Sequence, residues 1–139
     1  MPDGDAQVIR AAYRALAARD GDALRELLAP GVEWHGPSPL MPAGGSYSGE
    51  EAVAEALTEV AGAAYDELSL EPEELVEAGE MVFARGSLSV RFRGGDETVT
   101  DTFLHVAIVT QGRISASTLR CDSARVLKAM PGSVVGTIG

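Results

Sequence analysis

The period of the apolar pattern changes along this 139-residue chain, and that change limits the fold more than any other feature. Up to about residue 65, apolar side chains recur at helical spacing, as in Val8, Ala12 and Leu16. From residue 68 to residue 121, long extended segments alternate with turns at positions 79–80, 94–95 and 111–112. Helices followed by a meander of strands predict an α+β domain.

The same pattern predicts the individual elements. Helices are expected over residues 7–19, from residue 22 to the Pro30-Gly31 stop, and from 48 to about 65. The third helix should bury a stripe that consists of Val53, Leu57, Val60 and Ala64. Strands are expected over residues 32–35, 68–78, 81–93, 97–110 and 113–121, with a closing helix over 122–128. Prolines and glycines between residues 36 and 49 predict a loop that forms a rim or lid.

Composition excludes several classes of protein. The net charge is -10 with no Lys/Arg cluster, which argues against nucleic-acid and anionic-membrane partners. One cysteine, Cys121, and two histidines cannot assemble the usual zinc ligand sets, so no metal or other cofactor is expected. We expect no signal peptide and no membrane span, because the first residues are acidic and no long apolar run occurs, and the lone thiol fits a reducing compartment. We expect one soluble, cytoplasmic domain over residues 1–139.

Of the two central strands, the one over 97–110 is largely apolar on both faces, and the one over 81–93 is apolar on its even face. Even positions of the strand over 81–93 include Leu88 and Val90, and those of the next strand include Leu104, Val106 and Ile108. A sheet that is apolar on both faces is covered on both. Because the helices cover one face, the even-face residues predict that a second copy covers the other, as a homodimer.

Several short stretches occur together in a characteristic order. They are residues 17–20 (AARD), 27–37 (LLAPGVEWHGP), 47–53 (YSGEEAV), 103–106 (FLHV), 111–114 (QGRI) and 122–124 (DSA). In their order and spacing, over about residues 8–130, the chain resembles the SnoaL-like, ketosteroid-isomerase-related branch of the nuclear transport factor 2-like superfamily. That superfamily contains isomerases, cyclases, epoxide hydrolases and non-catalytic members, so the resemblance implies a fold and not one reaction.

The resemblance implies a curved antiparallel sheet that forms a cone around a small-molecule pocket, with the odd faces of the last strands inside. Binary patterning alone would instead send the polar odd face of the strand over 81–93 to solvent. The base and tyrosine positions of ketosteroid isomerases fall at or beside Gly36 and Ala12, and their aspartic-acid position falls on His105. Arg85 matches the arginine of the superfamily's epoxide hydrolases, but Ser87 and Leu119 stand at the two aspartates.

His105 is the main catalytic candidate, because a histidine can transfer protons near neutral pH. A simple hairpin register would place Arg85 opposite it, as a second catalytic candidate that holds an anionic oxygen. The alternative is a structural histidine that bonds to a neighbour. Of Trp34 and His35, one should face inward. The predicted substrate-binding residues are Trp34, His35, Ser87, Phe103, Ser117, Leu119 and Cys121. Asp122 is either a helix N-cap or the counterpart of the late carboxylate in SnoaL-like cyclases.

Two functional hypotheses follow. The first is a cofactor-independent enzyme that isomerises, cyclises or hydrates a small hydrophobic substrate, and the pair of His105 and Arg85 favours it. The second is a non-catalytic binding or accessory domain that uses the pocket or the dimer face. The absence of a carboxylate at Gly36 and Leu119 favours the second hypothesis. We favour the enzyme slightly, and the substrate is left open.

Overall fold

The structure, a computed structural model, describes residues 4–131. The N-terminal half contains the helices α1 (Asp5–Ala18) and α2 (Gly21–Glu26), the strands β1 (Leu28–His35) and β2 (Ser46–Ser48), and the helices α3 (Glu50–Ala54) and α4 (Ala61–Ala64). The other half contains β3 (Tyr65–Ala78), β4 (Met81–Phe92), β5 (Val99–Thr110), β6 (Arg113–Cys121) and α5 (Ser123–Ala129). Within residues 4–131, no helix is long and apolar enough to cross a membrane.

The strands form one open, curved sheet in the order β2-β1-β6-β5-β4-β3, which confirms the predicted α+β fold. The sheet is mixed, because β1 runs parallel to β6 while the other neighbours are antiparallel. β1 begins four residues earlier than predicted, and Pro30 and Gly31 lie inside it at a register shift. A proline is tolerated there because an irregular strand leaves some N–H groups outside the ladder.

The third helical segment is continuous but not uniform. A π-helical stretch (Glu55–Val60) connects α3 to α4, and this wider turn shifts the buried face by one residue. Val53 and Leu57 are buried as predicted, but Val60 is exposed and Ala61 takes its place. The helix was predicted to begin at Ser48, but the Ser48 hydroxyl donates to the Glu33 carboxylate on β1, and Gly49 is the N-cap residue.

The pairing of β4 with β5 decides which side chains face the helices. Ala84 pairs with His105, so even positions of β4 share a face with odd positions of β5. The inner face therefore includes Val82, Ala84 and Leu88 from β4, with Phe103 and His105 from β5, all of them buried. The expectation that odd positions of β4 point inward is wrong, and binary patterning gives the correct face.

Arg85 lies on the outer face of the sheet. Leu104 is its partner on β5, and its guanidinium pairs with Glu73 at 3.6 Å and with Glu74 at 3.3 Å on β3. Ser87 lies on the same face, where its hydroxyl contacts the Glu73 carboxylate at 3.4 Å. The prediction that Arg85 lies opposite His105 is wrong, and so is the inward orientation of Ser87.

The outer face carries an apolar patch that the described residues leave uncovered. Leu104 is 57% exposed and Phe83 is 41% exposed. They lie among Val76, Met81, Val106 and Ile108 on β3, β4 and β5. Leu88 and Val90, which were expected on this face, are buried on the inner one, because the β4–β5 register is shifted by one residue from the predicted one.

The homodimer stays a prediction, and its interface is now this outer patch. We expect sedimentation at micromolar concentration to give twice the mass of one chain, because two copies would bury the patch against itself. Phe83→Asp should shift the protein to monomer, since a carboxylate would be desolvated at the interface. Glu97→Asp, an exposed change away from the patch, should leave the mass unchanged. A monomeric wild-type chain would contradict the prediction.

Candidate functional site

A small apolar pocket lies between the inner face of the sheet, the helices and the loop over residues 36–45. Its volume is about 40 Å³, room for little more than a water molecule. The lining residues are Leu16, Trp34, Pro37, Met41, Pro42, Ala43, Gly44, Leu57, Tyr65, Leu68, Leu70, Leu88 and Leu119. None of these side chains is ionised at neutral pH, because burial raises the pKa of the Tyr65 phenol above its ordinary value. The pocket is therefore suited to apolar groups.

Side chains alternate between the two faces of each strand, and this alternation decides which of them line the pocket. Trp34 on β1 points inward and is buried, while its neighbour His35 points out, where its Nδ1 contacts the Ser46 hydroxyl at 2.9 Å. Leu119 on β6 and Leu88 on β4 face the same interior from two further strands. These orientations confirm the expectation that one of Trp34 and His35 faces inward, because successive side chains of a strand point to opposite faces.

The loop over residues 36–45 closes the pocket from above, in agreement with its predicted position as a rim. Its backbone is bonded across its base, with Gly36 N–H donating to the Gly45 carbonyl at 2.8 Å. Tyr65 donates its hydroxyl to the Pro42 carbonyl at 3.0 Å, and Met41 is buried beneath the loop. A Cβ atom on Gly44 would lie 2.0 Å from the Ser38 carbonyl oxygen, so this position requires glycine.

His105 lies on the inner face but outside the pocket lining. Its side chain is 2% exposed, and the Trp34 ring centroid lies 5.6 Å from that of the imidazole. The Tyr13 hydroxyl of α1 is 2.7 Å from Nδ1, and the Ser117 hydroxyl of β6 is 2.6 Å from Nε2. A neutral imidazole has one N–H and one lone pair, so these two hydroxyls use both nitrogens.

Burial fixes the protonation state of this network. It lowers the pKa of His105 from its usual 6.5 to about 4, because the charged ring would lose its hydration. It also raises the pKa of the Tyr13 phenol above its ordinary value. The network is therefore neutral at pH 7. These contacts favour the structural alternative for His105, whose catalytic role stays a prediction.

The predicted binding residues, together with the second catalytic candidate Arg85, fall into three groups. Trp34 and Leu119 line the pocket, and Phe103 and Ser117 are buried beside it on the inner face. His35 and Cys121 border a separate surface groove near Arg120, where burial raises the pKa of the Cys121 thiol. Arg85 and Ser87 are on the outer face. Asp122 is the N-cap of α5, with its carboxylate accepting from the Ala124 N–H at 3.2 Å.

Sequence reasoning missed several side chains of the site. The tyrosine position of ketosteroid isomerases was placed at or beside Ala12, and Tyr13 was not made a site candidate, although the hydroxyl of a buried tyrosine needs a hydrogen-bond partner. That requirement could have connected it to His105. Met41, Tyr65, Leu70 and Leu88 line the pocket, but they come from three separate segments, the loop, β3 and β4, and the sequence carries no signal that brings these segments together.

Comparisons with known proteins agree with this architecture. The family model described as the SnoaL-like domain matches residues 9–117. A nuclear transport factor 2-like protein of unknown function from Burkholderia pseudomallei superimposes with a TM-score of 0.79 at 28% identity, covering 91% of this chain and 96% of that one. Among curated proteins, none matches this sequence significantly.

Two further solved structures share the fold at lower identity. One is IdmH, a proposed polyketide cyclase from Streptomyces antibioticus, with a TM-score of 0.70 at 20% identity over 90% of this chain and 96% of that one. The other is an epoxide hydrolase of the LEH-like type from M. tuberculosis, with a TM-score of 0.74 at 16% identity over 96% and 94%. At these identities the likeness concerns the fold alone.

Burial of neutral His105 predicts a loss of stability in acid. Its folded pKa, about 4, lies below the usual 6.5, so the unfolded chain binds the proton first as the pH falls. Unfolding becomes easier below pH 6.5, and the loss is complete near pH 4. Between pH 7 and pH 5 this residue should lower the free energy of unfolding by about 2 kcal/mol.

Urea unfolding of wild type and His105→Gln at the two pH values measures this contribution. Glutamine offers a donor and an acceptor but does not titrate, so the variant should lose about 2 kcal/mol less than wild type over this interval. His35→Gln, at an exposed histidine, is the control and should follow wild type. Equal losses in wild type and His105→Gln would show that the ring is not held neutral by burial.

Proposed function

Because this chain belongs to the SnoaL-like domain family, we propose that its inner pocket binds a small, mainly apolar organic molecule. The observation that carries the proposal is the convergence of apolar side chains from α1, the third helical segment and four strands on one space. Sites for small ligands are concave, largely apolar and furnished with few polar groups. The pocket has this character.

Ligand entry requires the loop over residues 36–45 to move. The pocket of about 40 Å³ is smaller than an aromatic ring, and Met41 lies buried at its wall. The neighbouring Leu40 is 71% exposed, so only one of these two adjacent side chains packs inward. Methionine is unbranched and adapts its shape, which makes Met41 the side chain most easily displaced by a ligand.

Binding of toluene tests the proposal directly. We expect toluene to shift amide NMR signals around Leu70, Leu88 and Leu119, with saturation at millimolar concentration. Leu119→Phe should weaken binding by about tenfold or more, because the larger ring occupies the ligand's space. Leu104→Phe is the matched control, since the same change on the outer face leaves the pocket intact.

Met41→Ala should strengthen toluene binding by a few fold, because it removes the side chain that the ligand must displace. Leu40→Ala, in the same loop, should have no such effect. If toluene produces no saturable shifts in wild type or in Met41→Ala, the chain does not bind apolar molecules in this pocket.

Acid–base catalysis on the bound molecule is the second candidate. The hydrogen-bonded pair of Tyr13 and His105 lies directly behind the pocket wall formed by Trp34, and it supports this candidate. Two proteins with the same fold are described as a proposed polyketide cyclase and as an epoxide hydrolase. A reaction through His105 would need Trp34 to move aside, because the ring is sealed from the pocket.

Exchange of the α-protons of cyclohexanone in heavy water distinguishes the two candidates. An acid–base enzyme should accelerate the exchange, and His105→Gln should remove about a hundredfold of that rate, since glutamine does not transfer protons. His35→Gln is again the control. Cyclohexanone that binds with no accelerated exchange would leave binding as the function.

A further inference from the structure

Asp101 extends a row of pocket residues across the inner face of the sheet. Leu70 on β3 pairs with Leu88 on β4, and Leu88 pairs with Asp101 on β5. Both leucines line the pocket. Directly paired residues on one face have their Cβ atoms about 5 Å apart, so the Asp101 carboxylate stands at the same end of the interior as these leucines.

One oxygen of this carboxylate lacks a partner. Oδ1 accepts a hydrogen bond from the Thr102 N–H at 2.8 Å. Oδ2 is buried and has no hydrogen-bond partner among the residues that the structure describes. A buried acceptor left unpaired is costly, and more so when it is charged. The position therefore favours any molecule that brings a hydrogen-bond donor to Oδ2.

The neighbouring groups leave this oxygen without a counter-charge. Within residues 4–131, Asp101 forms no ion pair. Two arginines beside β5 donate to backbone carbonyls instead: Arg120 of β6 to that of Gly36 at 2.9 Å and Arg125 of α5 to that of Thr100 at 3.1 Å. Cys121 lies near enough for the carboxylate to add to the rise in its thiol pKa, which burial causes first.

We infer that Asp101 is the polar anchor of the ligand, so that the pocket takes a compact apolar molecule carrying one O–H or N–H donor. This inference rests on the proposed binding function and adds a specificity to it. The apolar walls hold the body of the ligand, while the donor bonds to Oδ2 at the end of the row. His105 is not needed for this recognition, because its nitrogens are already paired.

Phenol and toluene test the inference, because they have nearly the same shape and differ in one donor. Amide NMR titration gives both dissociation constants, and the measured quantity is the ratio of the toluene value to the phenol value. We expect Asp101→Ala to lower this ratio by about tenfold relative to wild type, which is the effect of losing a hydrogen bond to a charged group. Asp96→Ala removes the same charge at an exposed position and should leave the ratio unchanged.

Asp101→Asn keeps the size of the side chain and replaces the charged acceptor by a neutral one. It should lower the ratio by about fivefold and guards against a variant that does not fold. Because Oδ2 is unpaired and asparagine keeps an oxygen that accepts from the Thr102 N–H, Asp101→Asn should not have a lower midpoint of thermal unfolding than Asp96→Ala.

The outcomes separate a failure of the inference from a failure of the proposed function. If both probes bind wild type and Asp101→Ala with the same ratio, Asp101 is not the anchor, and the proposed apolar binding still stands. If neither probe binds wild type, the proposed function and the inference both fail. A ratio that falls equally in Asp96→Ala would assign the effect to net charge and overturn the inference.

Discussion

The pairing of Ala84 with His105 is the constraint on which the rest of the structure depends. It sets an even residue of β4 against an odd residue of β5, and every other pair along the hairpin follows from it. The inner face then receives the apolar residues of both strands, which α1 covers. Arg85 goes with Leu104 to the outer face, where it bonds to Glu73 and Glu74. A shift by one residue would reverse all of these orientations.

The buried trio of Tyr13, His105 and Ser117 connects α1 to two central strands. Three polar side chains on an apolar face are stable only because each satisfies another. The trio therefore fixes where α1 rests on the sheet, and the position of α1 in turn shapes one wall of the pocket through Leu16. The two hydrogen bonds that stabilise the trio also occupy both nitrogens of His105, and Trp34 separates the ring from the pocket.

The apolar walls of the pocket and the unpaired oxygen of Asp101 have different physical origins. Its walls follow from the ordinary burial of leucines on a curved sheet, which needs no functional explanation. The buried oxygen of Asp101 does need one, because the fold leaves it without a partner among the described residues. A loop closed by backbone bonds and by Met41 separates this interior from solvent. A ligand that displaces Met41 and reaches Asp101 would satisfy the buried side-chain oxygen that is left unpaired among residues 4–131.

The sequence by itself determined the class of fold and most of the elements, because periodicity records which side of a helix or strand meets the core. The strands over 81–93 and 113–121 were predicted almost to the residue. The sequence also showed that one of Trp34 and His35 faces inward, without showing which. The sequence also contained a signal for the register of β4 against β5. A two-residue turn at Gly94 and Gly95 sets residue 93 opposite 96 and, counted back, Ala84 opposite His105.

Only the tertiary structure decided which polar groups meet. The π-helical turn that exposes Val60, the bond between Tyr13 and His105, and the unpaired oxygen of Asp101 all depend on how separate segments pack. A single sequence records the face of each element, and a short turn records the register of a hairpin, but neither records the offset between elements that are distant in the chain. The offset is set by side-chain packing across the whole core, and it determines the site.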